Sequence, residues 1–200
     1  MKFYINHQQN YSRLELLLRL FFGWLYIAIP HFILIYILII GFLFVRFFTF
    51  WIILFTGKYP KALFDYVVKF MRYQMRLNTI LYNLSDGYPE FGLSGKHENM
   101  DFDVSYKENV SRITLLIRSF FGWLYVSVPH GIILFLRLII VCFIMIIAWF
   151  CVLFTGKYPK GMFDFVVETL RWEYRVNAYL LLYTDEYPAF TGKVLDGETQ

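Results

Sequence analysis

The chain is written twice. Phe21-Phe22-Gly23-Trp24-Leu25-Tyr26 returns as Phe120-Phe121-Gly122-Trp123-Leu124-Tyr125, and Leu54-Phe55-Thr56-Gly57-Lys58-Tyr59-Pro60-Lys61 returns as Leu153 through Lys160. Pro30-His31 matches Pro129-His130, and Asp86-x-Tyr88-Pro89-x-Phe91 matches Asp185-x-Tyr187-Pro188-x-Phe190. Every match is offset by 99 residues, without insertion. One unit of about 85 residues must therefore account for the whole fold. The division that follows is a polar N-terminus over 1–11, a first repeat over 12–91, a polar, acidic surface linker over 92–108, a second repeat over 109–190 and a polar tail over 191–200.

Each repeat opens with a long apolar stretch. Leu14 to Thr56 is interrupted only by Glu15, Arg19, His31 and Arg46 among the charged residues and histidines. Across the chain 58% of residues are apolar, 22% aromatic and 17% charged, against about 25% charged in soluble domains. This excludes a disordered chain, and two cysteines exclude a disulfide framework. The fold class expected is an all-α integral membrane protein. A hydrocarbon core of ~30 Å takes about 20 helical residues, and Pro30 is a natural break. The stretch then divides into helices over 12–29 and 31–56, giving a membrane hairpin in each repeat, or a re-entrant helix plus a span. The flanks are rich in Lys and Arg at both ends of both stretches. All of them reach the cytoplasmic side only if each repeat crosses twice, or dips in and returns. The expectation is a multi-pass protein with its termini and basic loops in the cytoplasm.

Local signals place the helices. Ser12-x-x-Glu15 has the form of a capping box, and Arg19 and Arg118 are expected to snorkel to headgroups. From Lys61 to Leu84 the charged residues fall at 61, 65, 69, 72 and 76, and the second copy repeats the pattern at 160, 164, 168, 171 and 175. One thin charged stripe on an otherwise apolar helix predicts an amphipathic helix lying in the membrane interface. Its cations, with those of the preceding turn, are candidate lipid- or anion-binding residues: Lys58, Lys61, Arg72, Arg76, Lys157, Lys160, Arg171 and Arg175.

The run Leu153-Phe-Thr-Gly-Lys-Tyr-Pro-Lys-Gly161-Met-Phe-Asp-Phe165, followed by Arg171-Trp172-Glu-Tyr174-Arg175-Val-Asn-Ala-Tyr179 and Thr184-Asp-Glu-Tyr-Pro-Ala-Phe190, resembles a bacterial membrane family designated only as a domain of unknown function. That family's signature reads LFTGxYPxxxFxF…RWxxRVxAYxxLLTDxYPxF. The first copy departs from it, with Arg72-Tyr73 where Arg-Trp stands in the second and Asn83-Leu84-Ser85 in place of Leu-Leu-Thr. The resemblance implies a bacterial inner-membrane protein and supplies no reaction or ligand.

Few residues suggest chemistry. His31 and His130 occupy equivalent places, but zinc wants four ligands, so no metal is expected. Arg46 and Arg137 stand inside apolar stretches, where an arginine usually faces a partner or water. The two are not repeat equivalents. Walker, Gly-x-Ser-x-Gly, His-Glu-x-x-His and Gly-x-Gly-x-x-Gly patterns are missing. The N-terminal ten residues lack a signal-peptide core, and the net charge of +4 is explained by membrane flanks, so no nucleic acid is expected. The function expected is a non-catalytic accessory or scaffold subunit of a larger bacterial membrane complex, with lipids and other membrane subunits as partners and no cofactor. The alternative is binding or transport of a lipid or small anion by Arg46, Arg137 and the basic stripes.

Overall fold

A computed structural model describes residues 1–195 and 198; the rest of the expected 191–200 tail lies outside the described residues. Strand β1 (Lys2–Ile5) precedes helix α1 (Arg13–Gly23), which passes through a π-helical turn at Trp24–Ala28 into α2 (Ile29–Thr56). Helix α3 (Lys61–Leu81) and strand β2 (Met100–Asp103) follow. The second half repeats the helices as α4 (Arg112–Gly122), a π-helical turn at Trp123–Ser127, α5 (Val128–Thr155) and α6 (Lys160–Leu180).

The hairpin expected to turn at Pro30 does not form. Arg13–Thr56 and Arg112–Thr155 are each one helix of 44 residues, long and apolar enough to cross a membrane. The reason lies in where proline's damage is repaired. Pro30 has no amide hydrogen for the carbonyl four residues back, that of Tyr26. The π-helical turn ends at Ala28, two residues before it, and the Tyr88 hydroxyl donates to the Tyr26 carbonyl at 3.1 Å. The second copy repeats this: Tyr187 Oη donates to the Tyr125 carbonyl at 2.9 Å, which Pro129 leaves unpaired. A helix accommodates proline when another donor takes the freed carbonyl.

The helix ends are built locally. Ser12 Oγ accepts from the Glu15 amide at 3.3 Å, so the forward half of the capping box is present. The reciprocal half is supplied from elsewhere: the Ser12 amide donates to Asp86 Oδ2 at 2.7 Å, and Glu15 Oε2 accepts from the Gly87 amide and from Arg19. Gly57 and Gly156 stop α2 and α5 in the left-handed conformation, at φ 72° and 71°, which glycine adopts without penalty. Pro60 and Pro159 sit at the N-caps of α3 and α6.

A pseudo-two-fold axis relates the halves. β1 and β2 pair antiparallel with Phe3 opposite Phe102, residues 99 apart and thus equivalent in the repeat. The Tyr11 amide donates to Gly156 O at 2.8 Å, and its counterpart, the Val110 amide, to Gly57 O at 2.9 Å. Arg13 reaches Phe154 O and Arg112 reaches Phe55 O. The start of each long helix thus lies on the end of the other. The segment 92–108 is more than a surface linker, since it supplies β2 and Phe102 is fully buried.

Three layers result. The long helices form one, α3 and α6 the second, and the β-ribbon with the loops the third. α3 packs on α2 and on β2, and α6 on α5 and on β1. The two helices expected at an interface are therefore the best-buried elements, holding Phe64, Val67, Met71 and Met75, and Phe163, Val166, Leu170 and Tyr174, in the core. The arginines of their charged stripe, Arg72, Arg76, Arg171 and Arg175, face the ribbon and loops, while Lys61, Lys69 and Lys160 stay exposed. The long helices bury only a narrow stripe, Leu16, Gly23, Ile27, His31, Thr49 and Ile53 in the first.

Candidate functional site

The apolar layer is the largest surface feature. Phe21, Trp24, Phe32, Tyr36, Phe44 and Phe55 stand exposed on the first long helix, with Phe120, Trp123, Phe135, Phe143 and Phe154 on the second. Phe55 and Phe154 are 71% and 72% exposed. Apolar patches of this extent mark surfaces that meet another apolar phase. The polar layer carries the opposite character, with Arg72 paired to Asp101 and Asp103 and Lys2 to Asp101.

Between these layers each repeat encloses one histidine. His31 and His130 are fully buried and lie in separate clusters rather than together. His31 stacks on Phe91 with ring centroids 4.3 Å apart, and His130 on Phe190 at 3.9 Å. In the first copy His31 Nδ1 lies 2.5 Å from Tyr73 Oη, and Nε2 lies 3.1 Å from Tyr88 Oη. In the second, the Trp172 indole N–H donates to His130 Nδ1 at 2.9 Å, which places the ring proton on Nε2. That Nε2 has no partner among the described residues. Both clusters join the Pro-His dipeptide of a long helix to the Tyr-Pro-x-Phe segment after α3 or α6. They hold that segment in place, and the same tyrosines repair the proline sites. Sequence reasoning missed Tyr88, Phe91, Tyr187 and Phe190. The available signal was the proline itself, whose i−4 carbonyl requires an outside donor. Among the described residues no group of three His, Cys, Asp or Glu side chains could hold a metal ion.

Of the embedded arginines, Arg137 is engaged internally. Arg137 Nε donates to Thr169 Oγ1 at 3.0 Å and Nη2 to the Phe165 carbonyl at 3.2 Å, with Glu168 3.7 Å away. Its guanidinium lies 4.1 Å from the Phe165 ring centre. Arg46 stands by the buried hydroxyls of Tyr59 and Tyr183. Burial pushes both phenols up, and the Arg46 charge opposes this. Arg19 and Arg118, expected to snorkel outward, instead turn inward onto helix ends. Arg118 donates to the carbonyls of Tyr179, at the end of α6, and of Thr184 beyond it, at 3.0 and 2.7 Å, and Arg19 to those of Ile80, at the end of α3, and of Ser85 beyond it. The last carbonyls of a helix have no intrahelical partner and carry partial negative charge, so a buried guanidinium satisfies them.

Four of the eight basic candidates are likewise drawn into the protein. Arg76 is 1% exposed and donates to Gly92 O and Gly95 O at 2.6 and 2.5 Å. Arg175 donates to Thr191 O and Lys193 O and pairs with Glu198. Arg72 is clasped by Asp101 and Asp103, and Arg171 donates to Gly192 O at 2.8 Å. Desolvation lowers the pKa of Arg76 and Arg171. The lysines differ: Lys58, Lys61, Lys157 and Lys160 are exposed. Lys61 and Lys160 reach Asp65 and Asp164 one turn on, and Lys58 reaches Glu108.

No curated protein and no solved structure matches the chain. The family described as "Domain of unknown function (DUF4389)" matches twice, over residues 13–92 and 112–192. Each match runs from the start of a long helix to just beyond the Tyr-Pro-x-Phe segment that packs on its histidine. The two matches together cover most of the chain, which therefore belongs to the DUF4389 family as a tandem pair.

Proposed function

We propose that this protein is a non-catalytic accessory or scaffold subunit seated in the bacterial inner membrane from one side. The observation that carries the reading is the separation of an exposed apolar layer from a charged one by the buried α3 and α6. A straight 44-residue helix is about 66 Å long, roughly twice a hydrocarbon core of ~30 Å. If each long helix crossed with its ends in opposite compartments, the ribbon lying over α3 and α6 would sit at bilayer depth. Lys2, Arg72, Asp101 and Asp103 would then be in hydrocarbon, where charges cost several kcal/mol or more each. Laying the long helices into one leaflet avoids this. Of the two arrangements that the basic flanks allow, two crossings per repeat or a dip and return, the dip from a single face fits this geometry and keeps the basic ends in one compartment. The exposed Lys58 and Lys157, at the ends of α2 and α5, fit anionic headgroups, and positive flanks favour the cytoplasmic side. Arg137 is held by Thr169 and the Phe165 carbonyl, which counts against an anion pathway through it.

Single cysteines at 58 and 157, with Cys142 and Cys151 replaced, test the seating. An impermeant maleimide should miss both positions in intact spheroplasts and label both in inverted vesicles; labelling from opposite sides refutes the one-sided arrangement. Mild solubilisation followed by native mass measurement tests the scaffold role. A defined co-purifying membrane protein is expected, and a lone monomer in every detergent counts against it.

A further inference from the structure

The repeat contains its own comparison. Over α3, the cavity lined by Lys61, Asp65, Lys69, Arg72, Asp103 and Tyr106 has its counterpart over α6, lined by Lys160, Asp164, Glu168, Arg171, Tyr4 and His7. These six pairs are equivalent under the shift of 99 residues. The second cavity is larger, about 690 Å³ against about 320 Å³, and Lys2 and Lys193 also line it.

The two arginines at the cavity floors differ in what meets them. Arg72 Nε is 3.0 Å from Asp101 Oδ1, Nη2 is 3.4 Å from Asp103 Oδ1, and Nε also donates to the Phe102 carbonyl. In the second copy the positions of Asp101 and Asp103 are occupied by Lys2 and Tyr4. Arg171 is buried, with 8% of its surface exposed. Its Nη1 is held by the Gly192 carbonyl and its guanidinium lies 5.5 Å from the Phe3 ring centre. Its Nε is buried without a partner, and Nη2 makes no hydrogen bond among the described residues. Of the neighbouring acids, Asp164 pairs with Lys160 and Glu198 with Arg175, while Glu168 stands 3.7 Å from Arg137. Lys193 is exposed in the cavity mouth and its side chain has no carboxylate partner among the described residues.

We propose that the cavity beside Arg171 binds a phosphate-class oxyanion, which supplies from outside the oxygens that Asp101 and Asp103 supply to Arg72. The adjacent N–H groups of a guanidinium form a fork that matches two oxygens of a phosphate or phosphate ester. Lys193 adds charge at the rim, where Lys2 is shared with Asp101. The site lies in the polar layer, away from the exposed apolar helices. The same phosphoryl chemistry is offered by a free phosphate in the aqueous phase and by an anionic lipid headgroup.

The test uses the full chain. Inorganic phosphate is titrated calorimetrically into protein in a zwitterionic detergent at constant ionic strength, and bound phosphatidylglycerol is counted by native mass spectrometry from nanodiscs. Heat from free phosphate supports a soluble ligand, whereas retention of phosphatidylglycerol over phosphatidylcholine without phosphate heat supports a headgroup. Arg171→Lys keeps the charge but loses the fork and should weaken either signal by at least about tenfold. Lys193→Glu alters an exposed side chain, so it should fold normally and weaken binding several-fold. Arg72→Lys, in the copy that supplies its own carboxylates, should leave binding unchanged. The proposal is overturned if neither probe binds, or if folded Arg171→Lys and Lys193→Glu proteins bind as the parent does.

Discussion

At Gly192 a single hydrogen atom in place of a side chain decides whether the C-terminal segment can dock. A Cβ there would overlap the carbonyl group of Glu168. Backbone cannot yield that far without moving the segment that Arg171 and Arg175 hold. Gly192→Ala should therefore cost about 1–3 kcal/mol, read as a lowered thermal midpoint in detergent. Gly161, near the start of α6, has open space where its Cβ would be. Gly161→Ala should instead raise the midpoint, by up to about 1 kcal/mol; equal effects of the two changes would refute the packing account. A second residue-scale prediction concerns acid. His97 has its pKa lowered below 6.5, first by burial and then by Arg76, with Glu90 opposing. The unfolded chain accepts this proton near 6.5, and the folded chain only at lower pH. The stabilisation is complete above that value and is lost as pH falls toward the folded pKa. Amides of the loop between Gly87 and Asn99 should exchange faster at pH 5 than at pH 7 after correction for intrinsic rates, and His97→Gln should flatten the difference.

Among the elements, the long helices show what pattern alone could and could not specify. Their apolar length, their start after Ser12 and their stop at Gly57 and Gly156 were all legible. The proline was legible too, but its effect was not, because the compensating hydroxyl comes from a residue 62 positions away. The same holds for α3 and α6. Their charged stripe was visible, while the ribbon and loops that cover its arginines come from distant segments that read as polar linker. Arg76 and Arg175 looked like headgroup ligands because a sequence does not reveal which carbonyls will be left unpaired nearby. The proline repair makes a quantitative prediction at this scale. Tyr187→Phe keeps the ring on His130 and strands the Tyr125 carbonyl, at about 1–2 kcal/mol. Pro129→Ala restores an amide in the helix. In a double-mutant cycle, Tyr187→Phe should cost measurably less in the Pro129→Ala background. Strict additivity of the two changes would mean that the tyrosine acts only through packing.

For the molecule as a whole, the reciprocal contacts make the halves interdependent. Tyr11 closes on Gly156, Val110 closes on Gly57, and the ribbon needs one strand from each half. Cleavage between His97 and Glu98, through an inserted protease site, should leave a one-to-one complex of the two fragments on size exclusion in mild detergent. Fragments that part into stable monomers would show that the covalent joint, rather than the shared interface, holds the fold.

The pairing of Phe3 with Phe102 across the axis has a further consequence. An arrangement in which each partner offers what it receives closes after two members. Tyr11 on Gly156 and Val110 on Gly57 meet the same need from opposite sides, so two modules complete the set of contacts around the axis.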